Sequence, residues 1–131
     1  MITRRLALGT VLGVLGCRRE PRVLLPAAFD GWKLEGAEPA EASPEARRLG
    51  VRRVVKGRYA GDGKGFLFSL TVYEMGAGAA AFELVQKSQA RSGYLAFQAG
   101  NLFCEIASRE AVDARALGKV ASALERVLQH Y

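Results

Sequence analysis

The chain has 131 residues, half of them hydrophobic and 24% charged, with a formal charge of +6 and a single histidine. That length suits one domain with a modest core, and the composition argues against disorder. The lone His130, next to the C-terminus, leaves no Ser-His-Asp triad, and no His, Cys or Asp cluster has metal-ligand spacing. Neither a metal nor a cofactor is expected.

The N-terminus reads as an export signal. Arg4 and Arg5 precede an uncharged apolar run of eleven residues, 6–16. A helix needs about 20 residues to cross a bilayer, so this run fits a signal-peptide core and not a permanent span. It ends Val14-Leu15-Gly16-Cys17, which resembles the lipobox of bacterial lipoproteins, where Cys is acylated and becomes the mature N-terminus. An ordinary signal peptide containing a Cys is the alternative. Removing 1–16 takes Arg4 and Arg5 away and leaves +4, a mild excess that suits an anionic surface better than nucleic acid. If Cys17 carries lipid, Cys104 in the apolar run 102–106 is a buried, inert thiol; a Cys17–Cys104 disulfide is the other possibility. Arginine follows Cys17 where an Asp would mark inner-membrane retention, which favours the outer membrane in a diderm source.

Residues 17–30 then form a basic tether, with Arg18, Arg19 and Arg22, and an entry segment. Trp32 is expected to anchor an edge strand. Residues 35–44, rich in Ala, Glu and Pro, read as a loop, and Ser43-Pro44-Glu45 starts a short helix that Gly50 stops. A strand follows over 51–60, with Val51, Val55 and Tyr59 on one face and Arg52, Lys56 and Arg58 on the other. Val54 and Arg53 break that alternation. The glycines of 61–65 turn the chain into the clearest strand, where Phe66, Phe68, Leu70 and Val72 share a face; no P-loop fits, because no Ser or Thr follows Lys64.

Gly76-Ala77-Gly78 hands over to a helix whose apolar stripe is read as Ala81, Phe82, Val85 and Gln89. The dinucleotide outline is rejected, since no acid follows in 94–101, and the glycines are expected to let the helix pack closely. A second hairpin turns at 99–101. Asp113 then caps a long closing helix with Leu117, Val120, Ala121, Leu124, Val127, Leu128 and Tyr131 at three-four spacing.

Three sets of residues carry the functional expectations. Cys17 is the lipidation site. Arg52, Lys56 and Arg58 form a basic stripe that could meet anionic lipid, polymer or a protein partner, against the bland alternative of a solvated face. Glu74 and Glu105 could meet as an acid–base pair if their strands are neighbours.

Leu24-Leu25-Pro26, Gly31-Trp32, Leu70-Thr71-Val72-Tyr73-Glu74-Met75, Ala80-Ala81-Phe82-Glu83 and the hairpin around Gly100 and Phe103 together resemble a family of exported bacterial proteins of acidobacteria-like genomes. That family has a longer aromatic-rich helical segment where this chain has only 35–50, and no activity assigned to it carries over. The sequence therefore predicts a leader over 1–16 and one α+β domain over 31–131. The domain has two layers, an antiparallel sheet of four to five strands with two helices on one face. It would be a lipid-anchored envelope protein that binds an envelope protein or anionic polymer and not nucleic acid. A small hydrolase or transferase using Glu74 and Glu105 is the alternative.

Overall fold

The computed structural model describes residues 23–89 and 91–129. Cys17, the arginines of the tether and Tyr131 therefore lie outside the described residues. The elements run β1 (Ala28–Phe29), β2 (Trp32–Glu38), α1 (Pro44–Arg48), β3 (Val51–Ala60), β4 (Phe68–Met75), α2 (Gly78–Lys87), β5 (Tyr94–Ala99), β6 (Leu102–Ala107) and α3 (Ala114–Leu128). All six strands pair antiparallel in the order β1-β2-β3-β4-β6-β5. The α+β class and the antiparallel sheet are as the sequence predicts. Strand and helix numbers are each larger by at least one.

The layering also differs. Successive strand residues point to opposite faces, and β4 is apolar on both: Val72 is fully buried in one cluster and Tyr73 nearly so in the other. The Val72 side holds Leu70, Cys104, Ile106, Tyr59 and Trp32 under α3, which contributes Leu117, Val120, Leu124 and Leu128. The Tyr73 side holds Met75 and Phe103 under α1 and α2, through Ala46, Ala81 and Leu84. The helices thus cover both faces, not one. Tyr73, Met75 and Phe103 form a second apolar set that needs its own cover.

Two extra residues bend the sheet. Val51 pairs with Met75 and Arg53 with Glu74, so β3 gains one residue, Arg52, against β4. The bulge explains the broken alternation, since beyond it Val55 and Tyr59 stay on the α3 face while Val51 and Val54 join the α2 cluster. Leu34 opposite Tyr59 and Gly36 opposite Arg58 mark a similar bulge at Glu35. Residues 35–38, read as loop from their composition, are the second half of β2. Cross-strand pairing overrides weak strand propensity there.

The helix boundaries follow the sequence signals. Ser43 Oγ accepts from the Ala46 amide at 3.1 Å and an Asp113 oxygen from the Ala116 amide at 2.8 Å; such caps contribute about 1 kcal/mol each. On α2 the buried residues are Ala81 and Leu84, with Val85 packed beside them, whereas Phe82 is 52% exposed. Ala81 and Val85 are on the stripe as read, and Leu84 takes the place that the reading gave to Phe82. A Cβ at Gly76 or Gly78 would find its nearest neighbour at 3.5 Å, ordinary contact, so close packing does not require glycine there.

An ion network ties α1 to α2. Glu45 accepts from Arg48 and from Lys87, and Glu83 lies 3.0 Å from Lys87 and 3.5 Å from Arg48. Hydrogen bonds from Arg48 and Lys87 pull the Glu45 carboxyl down to about 2 from its ordinary 4.5. The fold therefore favours the ionised carboxylate, and this contribution is complete above pH 4.5 and lost as pH falls towards 2. Urea midpoints measured at pH 6, 4 and 2.5 should decline across that window. Glu45→Gln should flatten part of the decline, and added salt should weaken the effect because the groups are exposed.

Candidate functional site: a mixed-charge cleft on the open half of the sheet

Helices α1 and α2 cover only the end of their sheet face that carries Val54, Tyr73, Met75 and Phe103. Towards the other end the same face presents Glu38 of β2, Lys56 and Arg58 of β3, Ser69 of β4 and Ala107 of β6. Together with Leu67, Arg109 and Glu110 these residues line an open cleft of about 630 Å³. Its lining is balanced in charge, Glu35, Glu38 and Glu110 against Lys56, Arg58 and Arg109. Leu67, 62% exposed, adds an apolar spot, and its amide donates to Glu110 Oε1 at 3.2 Å. The cleft can hold a polar, extended or zwitterionic ligand; it is too open to exclude water from a reacting centre.

The predicted basic stripe is only partly assembled. Lys56 and Arg58 share the cleft face, but both lie on Glu38, at 4.0 and 3.1 Å. Arg52 is set apart from them at the bulge. Glu38 is the residue that sequence reasoning missed. Its signal was available, because Gly36 and Glu38 alternate opposite Arg58 and Lys56, but only once β2 is recognised as a strand.

The two candidate carboxylates do not converge. Glu74 pairs with Leu102 on the α3 side of the sheet, where Arg53 lies 3.5 Å away. Glu105 pairs with Thr71 and points to the opposite face, three positions along the strand from Glu74. The parity of Glu74 with Leu70 and Val72 was read correctly, but at the strand end it is only half-buried and paired.

Glu105 instead belongs to a phenol cluster. The Tyr94 hydroxyl donates to Glu105 Oε2 at 2.6 Å, and Tyr73, on the strand at the other side of β6, feels the same carboxylate. Arg91 stacks over the Tyr94 ring at 3.7 Å. Burial first, and then the Glu105 charge and hydrogen bond, push both phenols up to about 12 from 10. The neutral phenols belong to the fold, so their contribution is present below pH 10 and fades as pH rises towards 12. Ultraviolet titration should find both ionising near 12. Glu105→Gln should lower both without restoring 10, since burial is the larger cause.

The remaining candidates are structural. Trp32 is 3% exposed, edge-on to Phe68 at 4.7 Å and beside Phe66 at 5.0 Å, with Lys64 Nζ 5.5 Å from its ring. Cys104 is fully buried, and Cys17, with which it could pair, lies outside the described residues. Among those residues no group of three His, Cys, Asp or Glu could hold a metal, and no helix is long and apolar enough to cross a membrane. No protein-family model, curated protein or solved structure matches the chain.

Proposed function

We propose that the protein is an exported, lipid-anchored envelope protein that acts as a binding module, with the cleft at Glu38, Lys56 and Arg58 as its binding surface. The observation that supports this most is the half-covered sheet face: one end is sealed by α1 and α2, while the other presents 630 Å³ of charge-balanced space to solvent. The grammar of residues 1–17, with Cys17 after an apolar core, supports the anchor and the envelope location. The resemblance to an exported bacterial family points the same way. The outer membrane is favoured in a diderm source, by the arginine after Cys17.

The charge pattern narrows the partner. Lys56 and Arg58 already share the Glu38 carboxylate, so a polyanion would have to compete with it at an electrostatic cost. A stretch of envelope polypeptide with both charge signs fits better than an anionic polymer. The alternative enzyme built on Glu74 and Glu105 lacks the convergence that acid–base catalysis needs.

Two measurements test the reading separately. Cys17→Ala should abolish palmitate incorporation; a normally processed chain with Cys17 intact that incorporates no palmitate would refute the anchor. Full-length protein in detergent-solubilised envelope should capture a polypeptide partner that Leu67→Ser/Arg109→Glu releases. Both changes are at exposed positions, so the fold should survive them. Capture indifferent to that double change would move the binding surface elsewhere.

A further inference from the structure

The outer face of α3 carries a set of charges that neither the core nor the cleft uses. Arg115, Lys119, Ser122 and Arg126 follow one another at spacings of four, three and four, so all are exposed along one stripe. At 1.5 Å per residue the stripe is roughly 16 Å long. Gly118 and Ser122 are small, and with Asp30 they leave a shallow depression of about 500 Å³ between the cations. Three positive charges face one acid.

These cations differ from those on the sheet. Lys56 and Arg58 are held by Glu38, Arg53 by Glu74, and Arg48 and Lys87 by Glu45 and Glu83. Arg115, Lys119 and Arg126 form no ion pair among the described residues. Glu125, the acid next to Arg126, accepts from Gln129 instead. Arg115 also sits in the first turn of α3, where no acid is present and the helix dipole disfavours a cation. Folding alone gives no reason for that placement.

The stripe lies beside the point where the chain enters the fold. Asp30 lines the depression, β1 packs against α3, and Leu24 joins the core that α3 closes. Only five residues lie between Cys17 and Val23, six steps along the chain and a reach of about 20 Å when fully extended. A domain held that close must turn one side to whatever holds Cys17.

We propose that the exposed face of α3, through Arg115, Lys119 and Arg126, docks on anionic phospholipid headgroups and lays the domain against the bilayer. The proposal rests on the reading of Cys17 as the anchor, and it moves the anionic-surface contact from Arg52, Lys56 and Arg58 to α3. The face has no exposed large apolar residue among the described ones, so the contact is electrostatic adsorption without insertion. It should therefore weaken with salt.

The test uses the mature chain, residues 17–131, carrying Cys17→Ala, so that neither an acyl group nor the apolar leader contributes, and vesicles of phosphatidylcholine with or without 40% phosphatidylglycerol. Each basic residue near an anionic surface contributes a factor of about five. Arg115→Gln/Lys119→Gln/Arg126→Gln should therefore weaken partition to the anionic vesicles by about a hundredfold. Arg52→Gln/Lys56→Gln/Arg58→Gln should change it less than about threefold, and 0.5 M NaCl should erase the difference. Equal partition of the two triple variants, each with unchanged circular dichroism, overturns the proposal. The anchor is judged apart, by palmitate incorporation in the chain with intact Cys17, which the α3 substitutions should leave unchanged.

Discussion

Leu124→Ala is expected to destabilise the fold by about 3–5 kcal/mol, the largest effect of any single truncation considered. Leu124 is fully buried, and it belongs to the cluster in which α3 meets Leu70, Val72, Cys104 and Ile106. Its removal loses the transfer energy of the side chain and leaves a cavity that a helix locked at neighbouring Leu117, Val120 and Leu128 cannot close. Urea denaturation should show the midpoint fall with little change in slope. The partner measurement is Phe82→Ala on α2. Phe82 is 52% exposed and Ala is the better helix former, so the change should stay within about 0.5 kcal/mol. A loss at Phe82 as large as that at Leu124 would mean that the α2 stripe is wrongly assigned.

Gly93→Ala should cost about 2–4 kcal/mol, or roughly 10–20 °C in Tm. Gly93 turns the chain into β5 with φ of +72°, a region that costs an L-residue about 1–2 kcal/mol. A Cβ there would also lie 2.7 Å from Ser108 O and 3.2 Å from Glu110 O. Both are backbone atoms, and Ser108 is held in place by donating its amide to Gly93 O at 2.8 Å. Turn and strand exit would have to move together. Gly63→Ala is the control that separates the two causes. Its φ is +71°, but nothing lies within 4 Å of its Cβ position, so only the backbone penalty of about 1 kcal/mol should appear. Thermal melts that show equal losses at both glycines would remove the steric part of the argument.

Much of the fold was legible because its strongest signals are local. The alternation in β4, the three-four spacing in α3, the Ser43 and Asp113 caps and the turn between β5 and β6 each occupy one short window. What stayed hidden depends on pairing across the sheet. The bulge at Arg52 appears in the sequence only as a broken alternation, and the register with β4 is needed to read it. Glu38 looks like loop composition until it is set opposite Lys56. Tyr73 and Phe103 are apolar enough to imply a second covered face, but Glu105 lies close by on the same face and disguises it. The carboxylate pair failed for the same reason. Neighbouring strands were expected correctly, but the one-residue difference in parity between Glu74 and Glu105 puts them back to back.

Because Val72 and Tyr73 are consecutive on one strand, the two apolar layers share a spine. Peeling α3 away exposes the back of the residues that α2 needs in place, and the reverse holds equally. The layers should therefore melt in a single transition, with coincident curves from Trp32 fluorescence, which reports the α3 side, and far-ultraviolet dichroism, which reports both. A half-dismantled form, one layer intact and the other open, would have no foothold on which to persist.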